Sequence, residues 1–160
     1  MGKRFIGIDF DGHCVRVAIL TEEKGQSSPV SVVKHCFAGN EELLQSLPEL
    51  IGGERRLGDR VAAALPAREG FVRQLKFPFA DARKIAAALE LELGAQLPVA
   101  IETCTSDFQQ PVADGAGGWI VTAAAVRTEV IREFLAPYDS AGFVISLLDL
   151  APFAYAAGLA

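Results

Sequence analysis

Residues 5–20, Phe-Ile-Gly-Ile-Asp-Phe-Asp-Gly-His-Cys-Val-Arg-Val-Ala-Ile-Leu, decide the fold. The first six are apolar apart from Gly7 and Asp9. The last six are β-branched or aliphatic, with Arg16 as their one charge. Between them, Asp11-Gly12 accepts the positive φ angles of a two-residue hairpin turn. The stretch therefore predicts a strand, a hairpin turn and a second strand. Asp9 is the residue out of place. A carboxylate buried and unpaired in an apolar strand costs on the order of several kcal/mol, so Asp9 lies at the strand's end near solvent or has a partner. Two roles fit that position. It can hold a metal ion or water near a phosphate, or it can cap the turn through the backbone.

Working outward, residues 21–29 are polar and serine-rich and read as a turn. Residues 30–37 have strand propensity and predict a third antiparallel strand. Asn40 is placed to cap a helix in which Leu43, Leu44, Leu47 and Leu50 recur at helical spacing and which ends at Gly52-Gly53. Residues 60–65 read as a short buried strand stopped by Pro66. Residues 70–77 alternate in parts and predict another strand, broken by Pro78. Asp81 then caps a helix with Ile85, Leu89 and Leu93 on its inner face, Glu90 and Glu92 toward water, and Gly94 as its stop.

Residues 102–112 predict a strand with a polar face, 113–118 a glycine-rich turn, and 119–126 an apolar strand. Thr128 caps a third helix with Ile131, Phe134, Leu135 and Tyr138 on one side; Pro137 should bend or shorten it, and Gly142 stops it. Residues 143–150 predict a further strand, and 151–160 a helix without a polar face. The sum is an α/β chain with mixed α+β sheets.

At 160 residues the chain supports one domain or two small lobes. Hydrophobic residues make up 51% and charged ones 22%, which fits a large core and excludes a disordered chain. The mean hydropathy of +0.28 is high enough that some apolar surface is expected to serve a partner or further chain. A net charge of -5 argues against nucleic acid, which needs a basic face. The basic runs are only Lys3-Arg4 and Arg55-Arg56. Asp9 and Asp11 interrupt what would be the apolar region of a signal peptide. Asp149 and Pro152 make residues 142–160 a strand and helix and not a membrane span. Cys14, Cys36 and Cys104 are odd in number and lack a Cys-x-x-Cys spacing, which reads as free thiols in a reducing cytoplasm.

The ordered set of elements resembles a known family. Gly7-Ile8-Asp9 running into Val15 to Leu20 resembles the first hairpin of the actin-like ATPase superfamily, which includes actin, sugar kinases and Hsp70. The chain is most similar to the cytoplasmic actin-like proteins of the type IV pilus platform (PilM) and the type II secretion platform (GspL), and more distantly to FtsA. Ala64-Leu65-Pro66 before residues 70–78, the helix at 85–94 with Gln96-Leu97-Pro98-Val99, Asp107-Phe108-Gln109, and residues 119–125 with 143–154 carry the likeness. The resemblance implies a first actin-like, ribonuclease H-like lobe from residues 1–66 and 145–160, with a small α+β subdomain inserted at 67–144. It also implies the N-terminal part of a longer protein, since relatives continue into a second lobe.

The same resemblance places a phosphate loop at Asp9, Asp11, Gly12 and His13. Actin-like ATPases put Asp-x-Gly and small hydroxyl residues here, so that backbone donors approach phosphates and the Asp holds metal-bound water. This sequence keeps Asp9, but has Asp11 where glycine is expected and His13-Cys14 where hydroxyls would lie. A second carboxylate beside a polyphosphate repels it unless a metal lies between. The loop therefore reads as vestigial, with no catalytic residue, no cofactor and no activity in this chain; ATP and Mg remain possible in the full-length protein.

His13-Cys14 and His35-Cys36 could lie on neighbouring strands. Each pair offers at most one ligand per face, short of the four converging ligands of structural zinc, so packed thiols and surface imidazoles are expected. The segment Gly115-Ala116-Gly117-Gly118 lacks the lysine of a P-loop. Glu90 and Glu92 with Arg83 and Lys84 form a solvated helix face or a docking surface.

The resemblance implies a scaffold at the cytoplasmic face of an inner-membrane platform for type II secretion or type IV pilus assembly. Its partners would be an assembly ATPase and membrane-anchored platform proteins. The alternative is an actin-like ATPase or sugar kinase binding Mg-ATP in the full-length protein. A third reading is a regulatory domain that binds a small molecule between two lobes.

Overall fold

The opening stretch forms the hairpin. Strand β1 (Lys3–Phe10) pairs antiparallel with β2 (Cys14–Glu23), with Phe5 opposite Leu20 and Asp9 opposite Arg16. The computed structural model describes residues 3–23, 26–36, 40–51, 53, 56, 58–140 and 142–159. Strand β3 (Gln26–Cys36) follows, antiparallel to β2. The turn expected over residues 21–29 is therefore mostly strand. Thr21, Glu22 and Glu23 face Ser28, Ser27 and Gln26, because cross-strand pairing outweighs low strand propensity in a hairpin that continues outward. Pro29 is tolerated because β3 lies at the sheet's edge and its register shifts beside Leu20.

Helix α1 (Asn40–Leu50) leads to β4 (Arg60–Leu65), which runs parallel to β1. The side chains of Asn40, Leu43 and Leu44, expected to cap and line this helix, lie outside the described residues, as do Phe37, Gly52 and Arg55. The chain divides into two compact units, one of Met1–Ala67 with Glu133–Ala160 and one of Arg68–Arg132.

In the second unit, β5 (Gly70–Phe77) precedes α2 (Ala82–Gly94), β6 (Cys104–Phe108), β7 (Val112–Ala113) and β8 (Trp119–Arg127). All pairings are antiparallel onto β8, in the order β5-β8-β6, with β7 also on β8. The strand expected at 102–112 is thus two short strands interrupted before Pro111, with residues 101–103 in a helical turn. Asp81 caps α2 by accepting from the N–H groups of Arg83 and Lys84, and Ile85, Leu89 and Leu93 are buried against Leu75, Val121, Ala123 and Ala125. Gly94 is the last helical residue, with Ala95 as the C-cap, and what favours glycine there is space and not a left-handed backbone, since a Cβ would come within 3.1 Å of the Ile101 side chain.

Helix α3 (Thr128–Ser140) carries the chain back to the first unit. It runs on through Pro137, so the proline does not end it. The predicted strand over 143–150 is shorter, β9 (Leu147–Leu150), because Phe143 and Ile145 pack into the core instead. Helix α4 (Ala151–Leu159) follows directly.

The first unit's sheet has the order β3-β2-β1-β4-β9, with β4 and β9 parallel. One face carries Ile6, Ile8, Val15, Val17, Ile19 and Val61, buried under Leu47, Ile51, Tyr138 and Phe143. Alternation along the strands sends Gly7, Asp9, Arg16, Ala18, Ala62 and Ala64 to the other face. That face holds the candidate site. Among the described residues no helix is long and apolar enough to cross a membrane.

Candidate functional site

The turn between β1 and β2 closes on the side chain of Asp11. Its Oδ1 accepts the backbone N–H groups of His13 at 3.0 Å and Cys14 at 2.7 Å, while its own N–H donates to the Cys14 carbonyl at 3.2 Å. Gly12 supplies the left-handed backbone the turn requires, with φ at 97°. Capping thus falls to Asp11 and not to Asp9, the residue considered for it in the sequence. The backbone bonds from Cys14 and His13, aided by Arg16, lower the Asp11 carboxyl to about 2.

Asp9 is held by side chains instead. Arg16 spans both carboxylates, its Nη1 donating to Asp9 Oδ2 at 2.9 Å and its Nη2 to Asp11 Oδ2 at 3.1 Å. The Tyr155 hydroxyl of α4 donates to the same Asp9 oxygen at 3.0 Å. The hydrogen bonds to Asp9 and then Asp11 push the Arg16 guanidinium above its ordinary value, and the bond to Asp9 raises the Tyr155 phenol. Of the four residues singled out in the sequence, Asp9 and Asp11 are thus brought together through a guanidinium, Gly12 gives backbone geometry, and His13 gives an N–H.

Arg16 and Tyr155 were missed. A two-residue turn at Asp11-Gly12 would set Asp9 opposite Cys14; Phe10 instead pairs with Val15, and this longer connection is what puts Arg16 opposite Asp9. No local signal existed for Tyr155, which is 146 residues away.

The turn's donors match poorly to a polyphosphate. The amides of His13 and Cys14 already point at Asp11, and a phosphate would meet two carboxylates that share one guanidinium, Arg16. Below this cluster the sheet presents two cross-strand rows. Val32, Ala18, Gly7, Ala62 and Leu147 form an apolar one; Lys34, Arg16, Asp9, Ala64 and Asp149 form a charged one. Lys34 apart, these residues and α4 line a cavity of about 400 Å³. Val32 and Leu147 are 76% and 61% exposed. The arrangement suits an apolar side chain beside a charged rim better than a nucleotide.

The free thiols expected at Cys14 and Cys36 are instead a disulfide. The β2–β3 register sets the two residues directly opposite each other, and that pairing cannot be read from their separation of 22 residues. Cys104 is free and half-buried. Among the described residues no group of three or more His, Cys, Asp or Glu could hold a metal ion.

Titration of Asp11 offers a direct check on the turn. Its carboxyl is expected to stay ionised well below the ordinary range and to protonate only near pH 2. Because the native value is depressed, the capping contribution is present above about pH 4 and lost as pH falls toward 2. Side-chain carboxyl shifts followed by NMR across that window report it. A titration at the ordinary aspartate value would mean the turn is not capped in this way.

The strand order, with two parallel strands after an antiparallel meander and a second unit between β4 and α3, is that of an actin-like, ribonuclease H-like fold. Two solved structures share it. A chain of the PilM–PilN type IV pilus biogenesis complex superposes with a TM-score of 0.75 at 21% identity, covering 93% of this chain and 48% of that one. The cytoplasmic domain of EpsL, an inner-membrane component of the type II secretion system of Vibrio cholerae, gives 0.62 at 15% identity, covering 92% and 57%. At these identities the likeness shows the fold, and the chain spans about half the length of the structures it matches. No family model and no curated protein sequence matches the chain.

Proposed function

We propose that the chain is a protein-binding part of an inner-membrane platform for type II secretion or type IV pilus assembly, working at the cytoplasmic face without nucleotide chemistry. The observation that carries this reading is the turn at Asp11, whose amides and carboxylates are satisfied within the chain. The fold common to the two platform proteins supports it, as does the apolar, partly exposed sheet face beside the turn. Membrane-anchored platform proteins and an assembly ATPase are the proposed partners.

The test has two arms. Mg-ATP at millimolar concentration is expected to leave the melting temperature unchanged, both for this chain and for any longer protein that contains it. Affinity capture from solubilised membranes is expected to recover platform proteins. A nucleotide-dependent rise in melting temperature that disappears in Asp9→Ala would overturn the reading in favour of an actin-like ATPase or sugar kinase.

A further inference from the structure

The Cys14–Cys36 disulfide joins the first residue of β2 to the last residue of β3, at the rim of the sheet and beside the Asp11 turn. We propose that this pair is a reversible thiol–disulfide site that locks and releases the end of β3.

Three features of the geometry converge. The first is access. Cys36 is exposed and Cys14 half-buried, and β3 is the edge strand of its sheet. Reactivity of a disulfide toward an external thiolate depends on reach as well as on thiol acidity.

The second is what the bond holds shut. Two register positions inward from the disulfide, Lys34 lies directly opposite Arg16 on the same face. Like charges directly opposite each other on paired strands destabilise the pairing. Asp9 and Asp11 pair with Arg16 on its other side, so the formal charges of the four groups cancel, but the two side chains that face each other across β2 and β3 are both cationic. The disulfide is the covalent link just beyond them. It lies at the end of an edge strand, where local opening costs less than in the core strands.

The third is the connection to the site. The Cys14 N–H is the shorter of the two bonds that cap Asp11, and the Cys14 carbonyl accepts from Asp11. A change at the Cys14 sulfur is therefore one residue's backbone away from the cluster of Asp9, Asp11 and Arg16.

The exchange is written with a dithiol reductant of the thioredoxin class. Its thiolate attacks the exposed Cys36 Sγ and forms a mixed disulfide. The Cys14–Cys36 bond breaks, and Cys14 leaves as a thiolate that takes up a proton. The reductant's second thiol then displaces Cys36, which leaves as a thiol. Two electrons pass to the protein, and the reductant ends as its own disulfide.

The experiment uses the full chain carrying Cys104→Ser, so that exchange is confined to the pair. Thiols are counted by alkylation and mass spectrometry after native incubation with thioredoxin and across a series of glutathione buffers. Amide hydrogen exchange is followed in the same samples. Both thiols are expected to appear together without denaturant, with loss of about tenfold or more in protection over residues 33–36. Cys36→Ser should reproduce that loss under oxidising conditions. Adding Lys34→Glu should restore protection in the reduced state, because it turns the opposed cations into an opposite-charge pair. A disulfide that resists native reduction overturns the proposal. So does reduction that leaves exchange unchanged, or lost protection that Lys34→Glu fails to restore.

Discussion

Replacing Asp59 with alanine is expected to cost about 3–5 kcal/mol of stability, the range for leaving one partner of a buried ion pair behind. Asp59 is 6% exposed and Arg4 is 8% exposed. The carboxylate accepts from Arg4 Nε at 3.0 Å, from Arg4 Nη2 and from the backbone N–H of Arg56 at 2.8 Å. Arg4 Nη1 in turn donates to the Ile51 carbonyl at 3.1 Å, where α1 ends. The pair thus ties the start of β1 to the connection between α1 and β4, and it is tied down at both ends.

In Asp59→Ala the guanidinium keeps its burial and loses its carboxylate. Urea unfolding should show the midpoint falling sharply with little change in slope. The double variant Arg4→Met with Asp59→Leu should recover much of the loss, because a buried ion pair and an apolar pair of similar volume differ little in net stability. Acid gives an independent view. The Arg4 hydrogen bonds hold the Asp59 carboxyl below the usual range. Its contribution is therefore full above the unfolded value of about 4 and is lost as pH falls through the native value. The acid limb of the stability curve should flatten in Asp59→Ala. An alanine variant within a few tenths of a kcal/mol of the parent would show the pair to be solvated.

Leu93→Ala is the second large effect, at about 3 kcal/mol. Leu93 is fully buried on α2, and it packs with Ile85 and Leu89 against Val121, Ala123 and Ala125. The small residues on β8 let the helix sit close to the sheet, so shortening a leucine leaves a void that neighbouring alanines cannot fill. Each unit has its own core. Hydrogen exchange should accordingly lose protection over β5, α2 and β8 while β1 and β2 keep theirs. Uniform loss across both units would mean that they unfold as one.

The sequence was most legible where local chemistry and tertiary structure agree. Gly70 and Pro78 bracket β5, and its ends fall where they were placed. Asp81 with leucine-type spacing marked α2 in the same way. Legibility failed where pairing, and not composition, decides. Residues 26–29 lack strand propensity and are strand because β2 lies alongside. Phe143 and Ile145 have that propensity and are core plugs instead.

The site shows the same division. Asp9 and Asp11 stood out from the sequence as charges in an apolar hairpin, but the capping considered for Asp9 falls to Asp11. The short turn lets the nearer carboxylate reach two amides, and the longer reach of Arg16 gathers both. Register also made the disulfide, which residue counting could not supply.

Pro29 and the register shift beside Leu20 have a bearing on crowding as well as on strand order. Where copies of a chain are crowded, an open sheet edge is an invitation to polymerise. Pro29 removes a donor from the backbone of β3, and the shift breaks its even spacing. Lys34 adds a charge near the strand's end. A second copy brought against this edge finds no continuous ladder to extend. The sheet is finished at β3, and copies can be packed at high local concentration without growing into a fibre through it.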